Sequence, residues 1–303
     1  MNSSEGSSPR GRQWSADALL LLVTLIWGST FVLIKRSVAQ FPVYAFLSLR
    51  FSLAVLVLAL LFRRRLRNLN RSTAGAGLLI GLFLFSGYAF QTVGLRYTSA
   101  SKAGFITGLS VVMVPILSAM LLRRRPEPLA ILGVILATAG LALLTLGRDL
   151  TPARGDLIVF GCAVSFALHI TAVSKYAPHT DALALTILQV GAVAILSTVA
   201  SLLTERWPQP IPVSIYLAAA FTGVLATALA FAIQNSVQRF STPTHTALIF
   251  AAEPVFAAVF GYLLADERLT RSGVVGCVLI LLGMVVAELR PDFKTAKGKG
   301  ESE

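Results

Sequence analysis

The amino-acid sequence predicts an all-helical integral membrane protein made of two inverted repeats of five transmembrane helices. Apolar residues make up 55% of the chain and charged residues only 13%, whereas a soluble domain is about 25% charged. Ten apolar stretches are long enough, at about 20 residues each, to cross roughly 30 Å of hydrocarbon. Because the bilayer core offers no water to unpaired backbone groups, we expect every span to be helical.

The ten predicted spans follow one another with short loops between them. They cover residues 17–36, 44–63, 72–95, 100–122, 128–147, 156–175, 181–203, 212–236, 243–265 and 270–289. The first span is longer than the apolar region of a secretory signal and its counterpart recurs in mid-chain. We therefore expect it to stay in the mature protein.

An internal repeat relates the two halves of the chain. Residues 88–146 match residues 231–289 at a constant offset of 143, and residues 17–50 match residues 156–189 at an offset of 139. Each copy holds five spans, so the second copy enters the membrane from the opposite side. Inverted repeats of this kind are the architecture of many secondary transporters, whose substrate site lies between the halves near the midplane.

The net charge of +12 is distributed unevenly along the chain. If the N-terminus is cytoplasmic, the inside segments carry 16 Lys and Arg and the outside loops carry 9. This bias follows the positive-inside rule. The loops at 123–126 and 266–269 are equivalent in the repeat and show the same bias. The first, on the inside, is basic, and the second, on the outside, is mostly acidic. We therefore expect anionic lipid headgroups, rather than nucleic acid, as the partner of the basic clusters.

These observations predict a domain organisation and an orientation. We expect a disordered cytoplasmic N-terminus at residues 1–15, a first repeat at 16–149, a second repeat at 150–290 and a cytoplasmic tail at 291–303. With ten spans and the observed charge bias, both termini lie in the cytoplasm.

Several function classes find no support in the residues. The chain contains no P-loop, no His-Glu-x-x-His and no Gly-x-Ser-x-Gly pattern, so an enzyme is not expected. Cys162 and Cys277 lie inside spans without metal-ligand spacing, and we interpret both as small packing residues. We therefore predict no metal and no cofactor.

Ionisable residues are few away from the ends of the predicted spans, where such groups are costly and often functional. Arg50 lies in span 2, His169 in span 6 and Glu253 in span 9. Glu253 would accept a proton or a cation, or Arg50 would hold a carboxylate of the substrate. The alternatives are a buried Arg50–Glu253 ion pair, a Glu253 satisfied by backbone amides beside Pro254, and a hydrogen-bonded helix contact for His169.

Further candidates for a central cavity are aromatic or amide side chains. They are Trp27, Phe31, Tyr88, Phe105 and Phe250, with Gln91 and Gln234 at matched positions of the repeat. Gln91 with Arg96, and Gln234 with Arg239, could close opposite mouths of one pathway. The alternative is that the aromatic residues only pack or anchor the helices, and that the polar residues only end them.

Helix-bending and close-packing residues also recur in both halves. Pro115 and Pro254 lie in spans 4 and 9 and predict cavity-lining kinks. Four matched glycines in spans 5 and 10 predict close packing of those helices. They are Gly133, Gly140, Gly276 and Gly283.

The chain resembles the EamA-type members of the drug/metabolite transporter superfamily over about residues 16–290. The resemblance rests on the five-plus-five repeat and on the motifs at 25–31 (LIWGSTF), 49–51 (LRF), 94–100 (GLRYTSA), 253–256 (EPVF) and 266–268 (DER). It implies a central cavity built from spans 1, 3, 4, 6, 8 and 9, in a bacterial inner membrane. Residues 123–126 depart from the family, which commonly has an acidic pair there.

We therefore predict a secondary transporter that exports a small organic metabolite, an amino acid or a drug-like solute, by alternating access. The resemblance allows coupling to the proton gradient. The alternative is a membrane-embedded binding or scaffold protein without a transport cycle. Substrate, direction, coupling and the choice between monomer and homodimer are not decided by the sequence.

Overall fold

The computed structural model describes residues 9–94, 97, 105–123, 126–145, 154–265 and 270–288, and these residues are almost entirely helical with no strand among them. Seven helical runs in these ranges are long and apolar enough to cross a membrane: Val43–Arg67, Arg71–Gly94, Phe105–Leu122, Arg154–His179, Ala182–Thr204, Val213–Phe240 and Pro243–Phe260. Pro128–Leu144 and Arg271–Ala287 are shorter apolar helices. The all-helical membrane class is confirmed, and the count of ten spans stays a prediction.

The α-helices are numbered here in chain order. They are α1 Pro9–Gln40, α2 Val43–Phe62, α3 Arg71–Gly94, α4 Ser110–Leu122, α5 Pro128–Thr145, α6 Arg154–Tyr176, α7 Ala182–Thr204, α8 Val213–Gly223, α9 Ala230–Val237, α10 Pro243–Phe250, α11 Glu253–Ala265 and α12 Arg271–Glu288. Short 3₁₀ turns extend α2, α6 and α9, and a π-helical segment, Val224–Leu229, joins α8 to α9. Because α1 begins at Pro9, residues 9–15 are helical here, although the sequence predicts disorder for them.

Side-chain caps explain where two of the helices begin. The Asp181 carboxylate accepts from the amides of Leu183 and Ala184 at the start of α7. The Thr242 hydroxyl accepts from the His245 amide at the start of α10. These caps satisfy amides that have no partner within the helix.

Predicted spans 4 and 9 are not continuous α-helices. Span 9 is interrupted at residues 251–252, so that Glu253 becomes the first residue of α11 and Pro254 the second. Proline suits the first turn of a helix because its missing N–H is not needed there. Span 4 is interrupted by a turn at Leu109, whereas Pro115 lies inside α4. The mid-helix kink expected at Pro254 is therefore a break between two helices.

The two sequence repeats are interleaved in the fold. From the first repeat, α3 packs on α6 and α7 of the second. In turn, α1 packs on α9 and α11, and α2 packs on both α7 and α8. Neither repeat is therefore a separate body, and a central site is necessarily shared by helices from both.

Contacts between helix ends identify two opposite ends of the molecule. At the end called here the basic end, Arg65 pairs with Asp181 at 3.1 Å and His245 lies 3.2 Å from Asp17. At the end called here the Glu205 end, the Glu205 carboxylate accepts from the Tyr44 amide at 3.0 Å.

Glycines set the close packing of α5 on α12. A Cβ on Gly140 would lie 2.5 Å from the Gly276 carbonyl oxygen, and one on Gly133 would lie 2.5 Å from that of Gly283. Cβ atoms on Gly276 and Gly283 would lie equally close to the carbonyl oxygens of Gly140 and Gly133. No side chain fits between the two helices at these points, as the sequence predicts from the matched glycines.

Candidate functional site

Arg50 of α2 lies in the interior of the fold and is 2% exposed. Its Nε donates to the Thr227 hydroxyl at 2.7 Å, and its Nη2 donates to the Ala226 carbonyl at 3.4 Å. Both acceptors belong to the π-helical segment that joins α8 to α9. A charge from the first repeat is thus held by polar groups of the second.

The π-helical segment presents these acceptors because its backbone departs from the regular α-helical pattern. The Ala226 carbonyl also accepts from Trp27 Nε1 at 2.8 Å. Gly223, just before the segment, permits close approach of α2, since a Cβ there would lie 2.7 Å from the Arg50 carbonyl oxygen. Single π turns inside α-helices often mark functional sites.

Two pairs of aromatic side chains are in contact, and the two pairs occupy equivalent positions of the repeat. Trp27 contacts Phe231 with ring centroids 5.6 Å apart. Phe166 and Tyr88 occupy the matching positions of the repeat, and their centroids are also 5.6 Å apart. The internal repeat therefore extends to side-chain contacts in the middle of the molecule.

The two aromatic pairs are connected to the polar groups around them. The Arg50 guanidinium lies 5.4 Å from the ring centroid of Tyr88, within cation–π range. Trp27 also contacts Phe250, at 5.1 Å between centroids, and Phe231 contacts the His169 ring at 5.9 Å. Trp27, Tyr88, Phe166 and Phe250 all keep some accessible surface.

Glu253 begins α11 beside this aromatic group and is half-buried. A Cβ on Gly28 would lie 3.0 Å from the Glu253 carbonyl oxygen, so α1 approaches α11 closely here. Among the described residues, the Glu253 carboxylate has neither a hydrogen-bond partner nor a direct ion pair. Arg50 is near enough to act on it electrostatically without touching it.

Arg50 and Glu253 therefore do not form the direct ion pair that was one of the alternatives left open by the sequence. Arg50 is satisfied by hydroxyl and carbonyl oxygens instead. His169 takes its structural alternative, since its Nε2 lies 2.9 Å from Gln189 Oε1 and the ring is buried.

The remaining predicted candidates bond or pack with other partners, or lie outside the described side chains. Gln91 donates to the Thr107 hydroxyl at 3.3 Å, and Gln234 donates to Gln238 at 3.0 Å. Phe105 is half-buried and packs on the same core cluster as Phe250. The side chain of Phe31 and all of Arg96 lie outside the described residues.

Sequence reasoning missed Thr227, Phe231 and Phe166. Phe166 and Phe231 could have been found, because the repeat aligns them with the candidates Trp27 and Tyr88. Thr227 carried no signal, because nothing in its neighbourhood in the sequence indicates a π-helical turn. In the described part of the chain, no three His, Cys, Asp or Glu residues are grouped as metal ligands would be.

Comparisons with known proteins identify the family of the chain. The profile of the EamA-like transporter family matches the chain twice, at residues 14–146 and 153–288. An uncharacterized transporter of Archaeoglobus fulgidus is 33% identical over 288 residues, which cover 94% of this chain and 90% of that protein. The uncharacterized transporter YyaM of Bacillus subtilis is 27% identical over 283 residues, 89% of this chain and 92% of that protein.

A protein of known crystal structure shares the fold. Its TM-score is 0.77 at 22% sequence identity, and the match covers 91% of this chain and 97% of that one.

Proposed function

Because the chain belongs to the EamA-like transporter family, we propose that it is a secondary carrier that exports a small organic solute through a site between its two repeats. The repeat-equivalent aromatic pairs, Trp27 with Phe231 and Tyr88 with Phe166, carry this proposal. They line one centre from both repeats, with Arg50 and Glu253 beside them. An amphipathic solute such as an amino acid or a drug-like molecule suits walls of this chemistry.

The proposal includes ten membrane spans in two inverted sets of five, divided near residue 150. The odd number of spans in each repeat, the close packing of the short helices α5 and α12, and the double family match support it. With more Lys and Arg at the basic end, both termini lie in the cytoplasm and the carrier resides in the bacterial inner membrane. Whether it works as a monomer or a homodimer does not affect the site, which one chain completes.

Glu253 is the proposed proton-binding group of the cycle. A half-buried carboxylate that has no hydrogen-bonded partner among the described residues can exchange a proton with little rearrangement around it. Its electrostatic interaction with Arg50 would weaken when the Glu253 carboxylate is neutralised by a proton. Solute and proton would then bind at adjacent points of one cavity.

A flux screen in proteoliposomes tests the function. The purified protein should move at least one solute from a panel of amino acids, nucleosides and cationic drugs, with saturation and counterflow. Uptake should increase with an imposed pH gradient. Saturable binding without flux for every solute would favour the scaffold alternative and overturn the proposal.

Glu253→Gln separates coupling from binding. This variant should retain solute counterflow and lose the response to the pH gradient. Cys277→Ser, a small change in a half-buried packing residue, should leave both properties unchanged. A normal gradient response in Glu253→Gln would assign the proton to another group.

A further inference from the structure

Three amide side chains near the basic end link α9 and the turn after it to the neighbouring helices. Gln238, just after α9, donates from Nε2 to the Ile170 carbonyl and to the Ser174 hydroxyl of α6, both at 2.7 Å. Asn235 donates to the Thr186 hydroxyl of α7 at 2.8 Å. Gln234 supports the arrangement by donating to Gln238 Oε1 at 3.0 Å. Gln234, Asn235 and Gln238 are called the amide cluster below.

The amide cluster is fully shielded from solvent. All three side chains have 0% exposure. Gln234 Oε1 and Asn235 Oδ1 are nevertheless buried without a hydrogen-bond partner. Buried amide oxygens normally have partners, so this arrangement does not use the full bonding capacity of the cluster. The two oxygens are available to bind water or other donors in a second arrangement of the helices.

The repeat-equivalent positions at the Glu205 end are arranged differently. Gln91 matches Gln234, but it is half-buried and donates to Thr107, in the segment before α4, rather than to α1 or α2. Thr92 matches Asn235, but its hydroxyl donates to the Tyr88 carbonyl of its own helix. Helix α9 packs on α7, and the 3₁₀ turn after α9 packs on α6. The equivalent contacts would join α3 to α1 and α2, and the described residues of these helices do not pack on each other to the same extent.

The two ends of a pseudo-symmetric carrier should close alternately during transport. An inverted repeat allows each half to adopt the conformation of the other around a fixed central site. The basic end is bridged by buried hydrogen bonds here. At the matched positions, Gln91 and Thr92 make no bond to α1 or α2 among the described residues, and Leu95, which matches Gln238, lies outside them. A bridge that holds α9 on α6 and α7 is what an alternating-access cycle requires of a state closed at this end.

We propose that the amide cluster is the gate of the basic end, and that this structure is the state in which that end is closed. The proposal rests on the proposed transport function. With the basic end in the cytoplasm, the state is closed toward the cytoplasm. Opening toward the cytoplasm breaks the bonds from Gln238 to α6 and from Asn235 to α7 together.

Distances between spin labels test the gate without any substrate. One label pair replaces His179 and Phe240 at the basic end, and the other replaces Gln40 and Tyr97 at the Glu205 end. All four residues are exposed, and the two pairs occupy equivalent positions of the repeat. Labels are placed in a background with Cys162→Ala and Cys277→Ser, and distances are measured by pulsed electron paramagnetic resonance in liposomes.

The expected starting result is a shorter distance at the basic end than at the Glu205 end. Gln238→Met keeps the side-chain volume and removes three hydrogen bonds. It should add a longer population at the basic end and a shorter one at the Glu205 end. Equal distances at the two ends of the parent protein would overturn the assigned state.

A matched control separates gating from ordinary packing. Gln189→Met makes the same change in another fully buried amide, whose bond to His169 joins α6 to α7 and does not reach α9. It should leave both distances unchanged. Should Gln238→Met fail to fold, Asn235→Leu removes the bond to α7 alone and should produce the same shift. Unchanged distances in the folded cluster variant would overturn the gate, whereas absence of solute flux in the parent protein would count only against the transport function.

Discussion

Arg50 shows how a charge is kept inside this protein without a direct counter-ion among the described residues. Its partners are a threonine hydroxyl and a backbone carbonyl, with two aromatic rings around the guanidinium. Burying a charge is tolerable only when hydrogen bonds replace its hydration. The Thr227 hydroxyl supplies the shorter of the two bonds, so the stability of the Arg50 environment should depend on it.

Thr227→Val tests this dependence. Losing a hydrogen bond to a charged group costs roughly 1.5–3 kcal/mol, and the isosteric change creates no cavity. The Tm in detergent should fall accordingly. Thr222→Val is the matched control, because Thr222 is equally buried and its hydroxyl bonds only to carbonyls of its own helix. An equal loss in both variants would show that the bond to Arg50 has no special weight.

Arg50 and Glu253 should be coupled, but less than a contacting pair would be. They interact electrostatically and do not touch. Single changes to Gln should each alter stability, and the double change should recover part of the loss, with a coupling energy of about 1 kcal/mol. Thermal unfolding of the four proteins measures the cycle. Strictly additive losses would contradict the coupling.

At the scale of helices, the backbone contact between α5 and α12 depends on glycine. Gly140 and Gly276 place each helix against the carbonyl oxygens of the other. A side chain at either position must push the helices apart, whatever the helix propensity of the new residue.

Gly140→Ala should therefore lower stability by about 1–3 kcal/mol, the range for overpacking. Gly75→Ala is the matched control, since a Cβ there would meet nothing within 4 Å. At Gly75 the higher helix propensity of alanine should stabilise the protein by up to about 1 kcal/mol. The two variants should differ in the sign of their Tm shift, and a stabilised Gly140→Ala would refute the close contact.

At the scale of the whole molecule, the ends defined by the fold must agree with the charge bias. His179 is exposed at the basic end and Pro208 is exposed in the connection at the Glu205 end. Single cysteines at these positions, in a background lacking Cys162 and Cys277, report which end faces outward. A membrane-impermeant thiol reagent should label position 208 in intact cells and position 179 only after permeabilisation. The reverse pattern would invert the proposed orientation.

The membrane class, the helical segments and the repeat are local or compositional properties, which is why the sequence predicts them. Hydrocarbon forces each apolar stretch to satisfy its own backbone, so length and apolar composition are enough to place a helix. The same reasoning fails at residues 251–252 and at the π-helical segment Val224–Leu229, where the backbone pattern depends on neighbouring helices.

The candidate site divides in the same way. The costs of burial pointed to Arg50, Glu253 and His169, and the aromatic candidates Trp27, Tyr88 and Phe250 lie around them. Their partners could not be predicted, because Arg50 and Thr227 are far apart in the chain and only interleaved packing brings them together.

Composition and the internal repeat are therefore enough to predict a two-repeat helical membrane protein and the residue types that could serve its centre. The tertiary contacts were needed to show that the Glu253 carboxylate has no direct partner among the described residues, that Arg50 is held by a π-helical turn, and that buried amides bridge the basic end. These outcomes depend on contacts between distant segments, which two repeats with nearly the same pattern can form differently at their two ends.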